Sequence, residues 1–112
     1  MDEKNNSISD RFKVSEDVVI TVARLATLDV NGVAGLDGEV SKISKLRNKC
    51  PIIVYMIEDV AAIDVKIRVK SGKRAIAVAE EVQTAIKENV QSMTGVAVAR
   101  VNVTVSNIVF DK

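Results

Sequence analysis

The chain contains no histidine, no tryptophan and a single cysteine, Cys50, among its 112 residues. Histidine is the usual general base near neutral pH and the commonest metal ligand in proteins, so its absence excludes Ser-His and Cys-His nucleophile pairs and most zinc sites. One cysteine forms neither an internal disulfide nor a thiolate metal cage. We therefore expect a protein that is not an enzyme and that carries no cofactor and no bound metal.

An excess of one charge and a long hydrophobic run are also absent. Sixteen Lys and Arg face fifteen Asp and Glu, which provides no overall field that attracts nucleic acid or an anionic membrane. No stretch approaches the roughly eighteen apolar residues of a membrane span, and the charged residues 1–13 lack the apolar core of a signal peptide. We expect a cytoplasmic protein with a flexible arm at 1–13 and one globular domain at 14–112.

The first strong pattern that is present is a helix. Ser15 is a favourable N-cap, and the residues after it are acidic, as the helix dipole prefers. The helix is predicted to end near Asp29, before the turn Asn31-Gly32. Because most of its circumference is apolar, it needs cover on more than one side, from another helix or from a second subunit.

Strand patterns follow in the middle of the chain. A glycine-spaced turn at 32–38 predicts a weak strand, and the continuous apolar run Ile52–Ile57 is typical of a central strand. A turn is predicted at Glu58–Ala61. The strict alternation of Ile63–Lys70 then indicates a strand with one solvated face, close enough to the preceding run to form a hairpin.

After Gly72 the apolar period changes from two to about 3.6, which predicts a long helix ending at Gly95. Its expected buried face consists of Ala79, Val82, Ile86, Val90 and Met93. A last strand is predicted from Val101 onwards, parallel to the strand before the helix. The order of elements favours an α+β fold: a two-layer sandwich in which two helices lie on one face of a small mixed sheet.

Several segments of the sequence resemble one family. These are Val14-Ser-Glu-Asp-Val18, Val30-Asn-Gly-Val-Ala-Gly-Leu36, Ala79-Glu-Glu-Val-Gln83, Met93-Thr-Gly95 and Val101-Asn-Val103. Together they are similar to the alkaline shock proteins, small bacterial and mostly Gram-positive stress proteins of the cell envelope. The resemblance covers nearly the whole chain from residue 14.

The resemblance implies a non-enzymatic scaffold in the cytoplasm, peripheral to the inner face of the membrane. Such a protein acts in envelope homeostasis under stress, by self-association and by docking to a membrane-anchored partner. The apolar first helix, the turn Asn31-Gly32 and the edge of the last strand are the expected contact surfaces. Two departures stand out: a glycine-containing turn is replaced by Glu58–Ala62, and an aromatic-rich strand is replaced by the basic Lys66–Lys70. The basic strand suggests a partner that differs from those of other members.

Two groups of basic residues are candidate contact sites. The first is a patch for an anion or an acidic partner, made of Lys66, Arg68, Lys70, Lys73 and Arg74. The second is a segment for contact with lipid headgroups or an acidic partner, made of Lys42, Lys45, Arg47 and Lys49.

Two alternative functions stay open beside the envelope scaffold. The first patch could serve a small KH-like RNA-binding module, although the chain has only three aromatic residues for base stacking. We therefore do not expect nucleic acid as the partner. The second alternative is a regulatory partner of a cytosolic enzyme, which the sequence does not separate from envelope docking.

Overall fold

The computed structural model describes residues 13–37 and 51–110, which fold into two layers. One layer holds two helices, α1 (Glu16–Leu28) and α2 (Ala75–Thr94). The other layer is a sheet of four strands: β1 (Val33–Leu36), β2 (Ile52–Ile57), β3 (Val60–Lys70) and β4 (Ala97–Val109). The predicted α+β class, with two helices on one face of a small mixed sheet, is confirmed.

Strand β3 lies in the centre of the sheet and pairs along both of its edges. On one edge β4 runs parallel to it over its whole length, as the sequence predicts for strands joined through a helix. The other edge is shared by two antiparallel strands placed end to end. Strand β2 pairs with residues 60–65 of β3, and β1 pairs with residues 67–69.

Lys66 is the residue at which β1 gives way to β2 along this edge. Its carbonyl oxygen accepts a hydrogen bond from the N–H of Asp37 at 3.1 Å, and its own N–H donates to the carbonyl of Pro51 at 2.9 Å. The two described segments that flank residues 38–50 therefore end against the same residue of β3.

Helix α1 begins as predicted, because the Ser15 hydroxyl oxygen accepts a hydrogen bond from the N–H of Val18 at 3.3 Å. Val19 and Ala23 are fully buried. The helix packs against α2 on one side and against β1 and β2 on the other. Its wide apolar surface is thus covered from two directions within a single chain.

Helix α2 buries a row of side chains that advances four residues at a time, Val78, Val82, Ile86 and Val90. The helix ends at Gly95 in the left-handed conformation, as predicted. The prediction that Met93 lies on the buried face is wrong, since its side chain is 66% exposed. The buried row continues from Val90 to the half-buried Thr94, whose hydroxyl donates to the Val90 carbonyl.

The interpretation of Ile52–Ile57 as a central strand is also wrong, because β3 holds the centre. Among the described residues β2 pairs only with β3. Its alternate residues Ile52 and Val54 face the helices, whereas Tyr55 on the other face is 52% exposed. A run that is apolar on both faces therefore has only one face covered.

The hairpin turn between β2 and β3 is tighter than predicted. Only Glu58 and Asp59 lie between the strands, and Ala61 belongs to β3. Glu58 has a φ of 57°, in the left-handed region that costs a residue with a Cβ more than it costs glycine. This chain therefore places a glutamate where the hairpin favours a glycine.

Gly32 holds a tight contact between β1 and α2. Its φ is 106°, and a Cβ built on it would lie 2.8 Å from Cγ2 of Val78. Its carbonyl oxygen accepts a hydrogen bond from the N–H of Lys70 at 2.8 Å. Both the backbone conformation and the distance to the helix require glycine at this position.

Candidate functional site

The first candidate surface is the face of the sheet opposite the helices, here called the open face. No helix among residues 13–37 and 51–110 covers it. Strand alternation and register place these residues on it: Ile53, Tyr55, Ile57, Val60, Ala62, Asp64, Lys66, Arg68, Lys70, Ala97, Arg100, Asn102, Thr104, Asn107 and Val109.

One end of the open face is basic. Lys66, Arg68 and Lys70 occupy alternate positions of β3, and both lysines are exposed. Arg68 is half-buried, and a Cβ built on Gly35 of β1 would lie 3.1 Å from its Nη2 atom. The bare backbone at Gly35 thus lets the guanidinium of Arg68 lie across β1. The Nε atom of Arg68 is buried without a hydrogen-bond partner among the described residues.

Lys73 and Arg74, which the sequence groups with these three cations, lie at the entry to α2. The Cγ of Lys73 is 3.5 Å from the position of a Cβ on Gly32, a position that Val78 of α2 also contacts. Arg74 is the N-cap residue of α2 and makes no side-chain cap hydrogen bond. The structure therefore groups three of the five predicted residues on the open face, and anion binding by the patch stays a prediction.

The other end of the open face is apolar. Ile53 and Tyr55 alternate with the buried residues of β2, and Ile57, which is 77% exposed, pairs directly with the exposed Val60 of β3. Ala62 lies beside Tyr55 in the same register. These five residues form one contiguous apolar cluster on the open face.

Between the two ends the open face is polar and internally paired. The side-chain amide of Asn102 donates to Oδ1 of Asp64 at 2.9 Å, across the β3–β4 pair. The same residues line a shallow depression together with Lys66 and Thr104. Asp64 is thus held by a neutral amide, not by one of the lysines of this face.

The second candidate surface is the outer edge of β4. The N–H of Lys66 and the N–H of Lys70 both point toward the β1/β2 edge, so the alternate residues of β3 point their main-chain groups at β4. In a parallel pair, the N–H and C=O of one residue bond the two residues that flank its register partner. The N–H and C=O of the register partner itself then point away from the pair. Since Ile63, Val65 and Ile67 are in register with Val101, Val103 and Val105, the main-chain groups of those three valines point outward from the sheet.

Part of this outer edge is covered by glutamine side chains of α2. Nε2 of Gln83 donates to the Val101 carbonyl at 3.0 Å, and Oε1 of Gln91 accepts from the N–H of Val98 at 3.1 Å. The main chain of Val103 makes no such contact with a side chain of the described residues. Near the end of the strand the N–H of Ile108 donates to Oδ1 of Asn107 at 2.8 Å, so the outer edge is capped near both ends and open around Val103.

Helix α1 carries a third exposed apolar group. Val18, Leu25 and Leu28 remain exposed after α2 and the sheet have covered the rest of the helix. Leu25 also lines a groove between the helices together with Met93 of α2. The first helix, predicted as a contact surface, thus retains an apolar row on its outer side.

The second predicted basic segment, Lys42, Lys45, Arg47 and Lys49, lies outside the described residues. The described residues that flank it, Asp37 and Pro51, both form hydrogen bonds with the main chain of Lys66. Contact of this segment with lipid or an acidic partner stays a prediction.

Metal sites and membrane spans are not found in the described part of the chain. Within residues 13–37 and 51–110 no group of three or more Cys, Asp or Glu side chains is arranged to hold a metal ion. Neither described helix is long and apolar enough to cross a membrane.

Comparison with solved structures places the fold. MamM CTD has a TM-score of 0.55 at 15% identity, over 83% of this chain and 99% of that chain. A copper form of a MamM CTD variant has a TM-score of 0.54 at 13% identity, over 88% of this chain and all of that one. These TM-scores show a shared fold, and at such low identity the likeness extends to the fold alone.

Comparison of sequences gives the family. The uncharacterized protein YqhY of Bacillus subtilis (strain 168) is 26% identical over 116 residues, which span 99% of this chain and 85% of that protein. A family model described as a family of cell envelope-related function matches residues 4–110, and this family is that of the alkaline shock proteins. Since this match covers nearly the whole sequence and agrees with the motifs quoted above, the chain belongs to the alkaline shock protein family, and its function is related to the cell envelope.

Proposed function

We propose that this protein is a non-enzymatic scaffold of the cell envelope, which self-associates and docks to a membrane-anchored partner. The observation that carries the proposal is the outer edge of β4. A strand edge with unpaired N–H and C=O groups is a template for pairing with another strand. The cell envelope-related function of the family supports an envelope setting, and the edge supports a means of assembly.

Strand β4 has few of the charged residues and none of the prolines with which proteins block a free strand edge. Its 13 residues include one charged residue, Arg100, and no proline. The register with β3 skips Ala99 and Ser106, so the bulged positions lie at its two ends. The regular stretch between them, residues 100–105, presents the outward main-chain groups of Val103.

A second copy of the same edge is the partner that fits this stretch best. Two identical strands pair antiparallel about a two-fold axis, and each then supplies the donors that the other lacks. Val103 and Val105 point toward the helical layer and are only half-buried. A strand from a second copy would complete the cover of both side chains, which adds apolar burial to the hydrogen bonds.

Self-association is tested with Val103→Pro. Proline removes the outward N–H at this position and keeps a side chain of similar size, and the ladder to β3 does not use that N–H. We expect sedimentation velocity to show a wild-type oligomer that Val103→Pro weakens at least tenfold, with the far-ultraviolet circular dichroism retained.

A lysine introduced on β4 provides a second test, which does not alter the backbone. Thr104→Lys should weaken the oligomer because the two-fold brings like charges together across the edge, whereas Thr84→Lys, on the exposed side of α2, should leave it unchanged. A strictly monomeric wild-type protein at high micromolar concentration would overturn self-association. An oligomer indifferent to both β4 variants would exclude this edge as the interface.

Docking to a membrane-anchored partner is tested in the cell. A tagged chain is crosslinked, the membrane fraction is isolated and the copurifying proteins are identified. We expect recovery of the protein itself together with an integral membrane protein. Recovery of RNA would instead support the KH-like alternative, and recovery of a soluble enzyme without membrane would support the regulatory one.

A further inference from the structure

We propose that the open face of the sheet lies directly on an anionic lipid bilayer. Its basic end would contact the headgroups and its apolar end would enter the headgroup boundary. The inference rests on the proposed envelope role for its setting, and it adds a second kind of contact that needs no protein partner.

Charge complementarity is the first observation that supports a lipid surface. Among the described residues the open face carries four cations, Lys66, Arg68, Lys70 and Arg100, against two carboxylates, Asp64 and, opposite Lys66 at the end of β1, Asp37. The helical layer, each helix taken with both of its cap residues (15–29 and 74–95), carries six carboxylates against three cations. Although the whole chain has a net charge of only +1, the two layers have opposite signs. An anionic leaflet attracts the open face and repels the helical layer, which sets one orientation.

The apolar cluster is the second observation. Ile53, Tyr55, Ile57 and Val60 are all exposed on the same flat face as the cations. Peripheral proteins bind membranes through such a combination, because aliphatic side chains enter the acyl boundary while cations stay with the headgroups. Strand β3 joins the two ends and is 11 residues long, about 36 Å at the usual rise per residue.

Other occupants fit this face less well. Single-stranded RNA is bound by stacking aromatics, and the open face has one aromatic residue, Tyr55, among aliphatic neighbours. Two copies stacked open face to open face would bring together two surfaces that each carry an excess of cations, which repel. The acidic helical layer of another copy has the right charge, but it leaves the apolar cluster without a matching apolar surface.

The experiment uses protein-free vesicles, so that no membrane-anchored partner can mediate binding. Vesicles of equal parts phosphatidylglycerol and phosphatidylcholine are compared with vesicles of phosphatidylcholine alone, by co-sedimentation at low and high salt. We expect binding to the anionic vesicles only, with partial loss at high salt because exposed charges are screened. Binding to neither kind of vesicle would overturn the inference.

Tyr55 provides a built-in probe of the orientation. It is the single tyrosine of a chain that lacks tryptophan, so the intrinsic fluorescence reports on the open face. Anionic vesicles with brominated acyl chains should quench this fluorescence. Co-sedimentation without quenching would show that another face makes the contact and would contradict the proposal.

The decisive variant is Lys66→Gln with Lys70→Gln, because both lysines are exposed and neither side chain packs in the core. Each cation near an anionic surface contributes about fivefold to partitioning, so the double variant should bind about 25-fold more weakly. The matched control, Lys13→Gln with Lys87→Gln, makes the same net change at exposed positions before and within the helical layer. It should bind like the wild type.

The apolar contribution is tested with Ile57→Ser, which should weaken binding about tenfold since it removes an exposed aliphatic side chain from the bilayer boundary. A single-stranded RNA is included as a competitor probe. If the protein binds RNA and does not bind vesicles, RNA is the occupant of the open face. If the double lysine variant changes the oligomer and leaves the vesicle partitioning unchanged, the occupant is another copy of the chain.

The outcome separates this inference from the proposed self-association. A wild-type protein that forms the oligomer but does not bind anionic vesicles contradicts the lipid contact and leaves self-association standing. A monomeric wild-type protein that still binds anionic vesicles counts against self-association alone.

Discussion

Gly32→Ala is expected to lower the free energy of unfolding by about 3 kcal/mol. Two effects add at this residue. Its φ of 106° is strained for any residue with a Cβ, and the new Cβ would lie 2.8 Å from Cγ2 of the buried Val78. Because β1 and the start of α2 meet here, the overlap must be relieved by moving the helix or the strand. Urea denaturation followed by circular dichroism measures the loss.

Gly72→Ala separates the two effects. Gly72 has a φ of 87°, similar to that of Gly32, but a Cβ built on it has no atom within 4 Å. Its substitution therefore introduces backbone strain without overlap, at an expected cost of about 1 kcal/mol. Equal losses at the two glycines would show that the contact with Val78 does not matter.

The source of the extra cost at Gly32 is tested in a double-mutant cycle with Val78→Ala. Removing the two methyl groups of Val78 creates space at the point of overlap. The double variant should therefore be more stable than the sum of the two single losses predicts, by about 1 kcal/mol. Additive losses would contradict a direct contact between the two positions.

Ile63→Ala is expected to cost about 4 kcal/mol, a large share of the roughly 5–15 kcal/mol by which domains of this kind are stable. Ile63 is 0% exposed, and its register partners Val54 and Val101 are also buried. All three side chains face the helices from adjacent strands. Truncation leaves a cavity in the centre of the core that no flexible neighbour fills, so the urea midpoint should fall sharply.

Ile57→Ala is the matched control for this loss. It removes the same atoms from the adjacent strand of the same hairpin, but Ile57 is exposed on the open face. We expect a change below about 0.5 kcal/mol. A large loss at Ile57 would mean that the open face is covered within the folded monomer, which would also contradict its availability to lipid.

The features of the fold that the sequence predicts are those with local causes. The Ser15 cap begins α1 and Gly95 ends α2, because each end needs a particular side chain or backbone conformation. The alternation of Ile63–Lys70 predicts a strand with one solvated face, and β3 has one. The parallel pairing of β3 with β4 follows from the helix that joins them.

The errors occur where a pattern depends on a distant neighbour. The run Ile52–Ile57 is apolar at every position, so its period does not tell whether one face or both are covered. Covering both faces would need a third layer, and among the described residues there is none. Met93 fits a helical period with Val90, but the buried row of α2 contains every fourth residue and leaves Met93 out. Which row is buried depends on how α1 packs against α2.

The candidate surfaces were predictable in part. The alternation of β3 brings Lys66, Arg68 and Lys70 to one face from sequence alone. Lys73 is separated from them because β3 ends at Lys70 and a turn leads from there to α2. The capping of the Val101 carbonyl by Gln83 is a tertiary contact with no sequence signal of its own.

The arrangement of β1 and β2 end to end makes the sheet tolerant of changes in chain length at one place. Asp37 and Pro51 both bond Lys66, so the ends of any connecting segment are fixed by β3 itself. The entropic cost of closing such a connection rises by only about 0.6 kcal/mol for each doubling of its length. A peptide epitope or a small folded domain inserted between residues 37 and 51 would therefore leave the register of all four strands intact, which makes this junction the natural attachment point for a reporter.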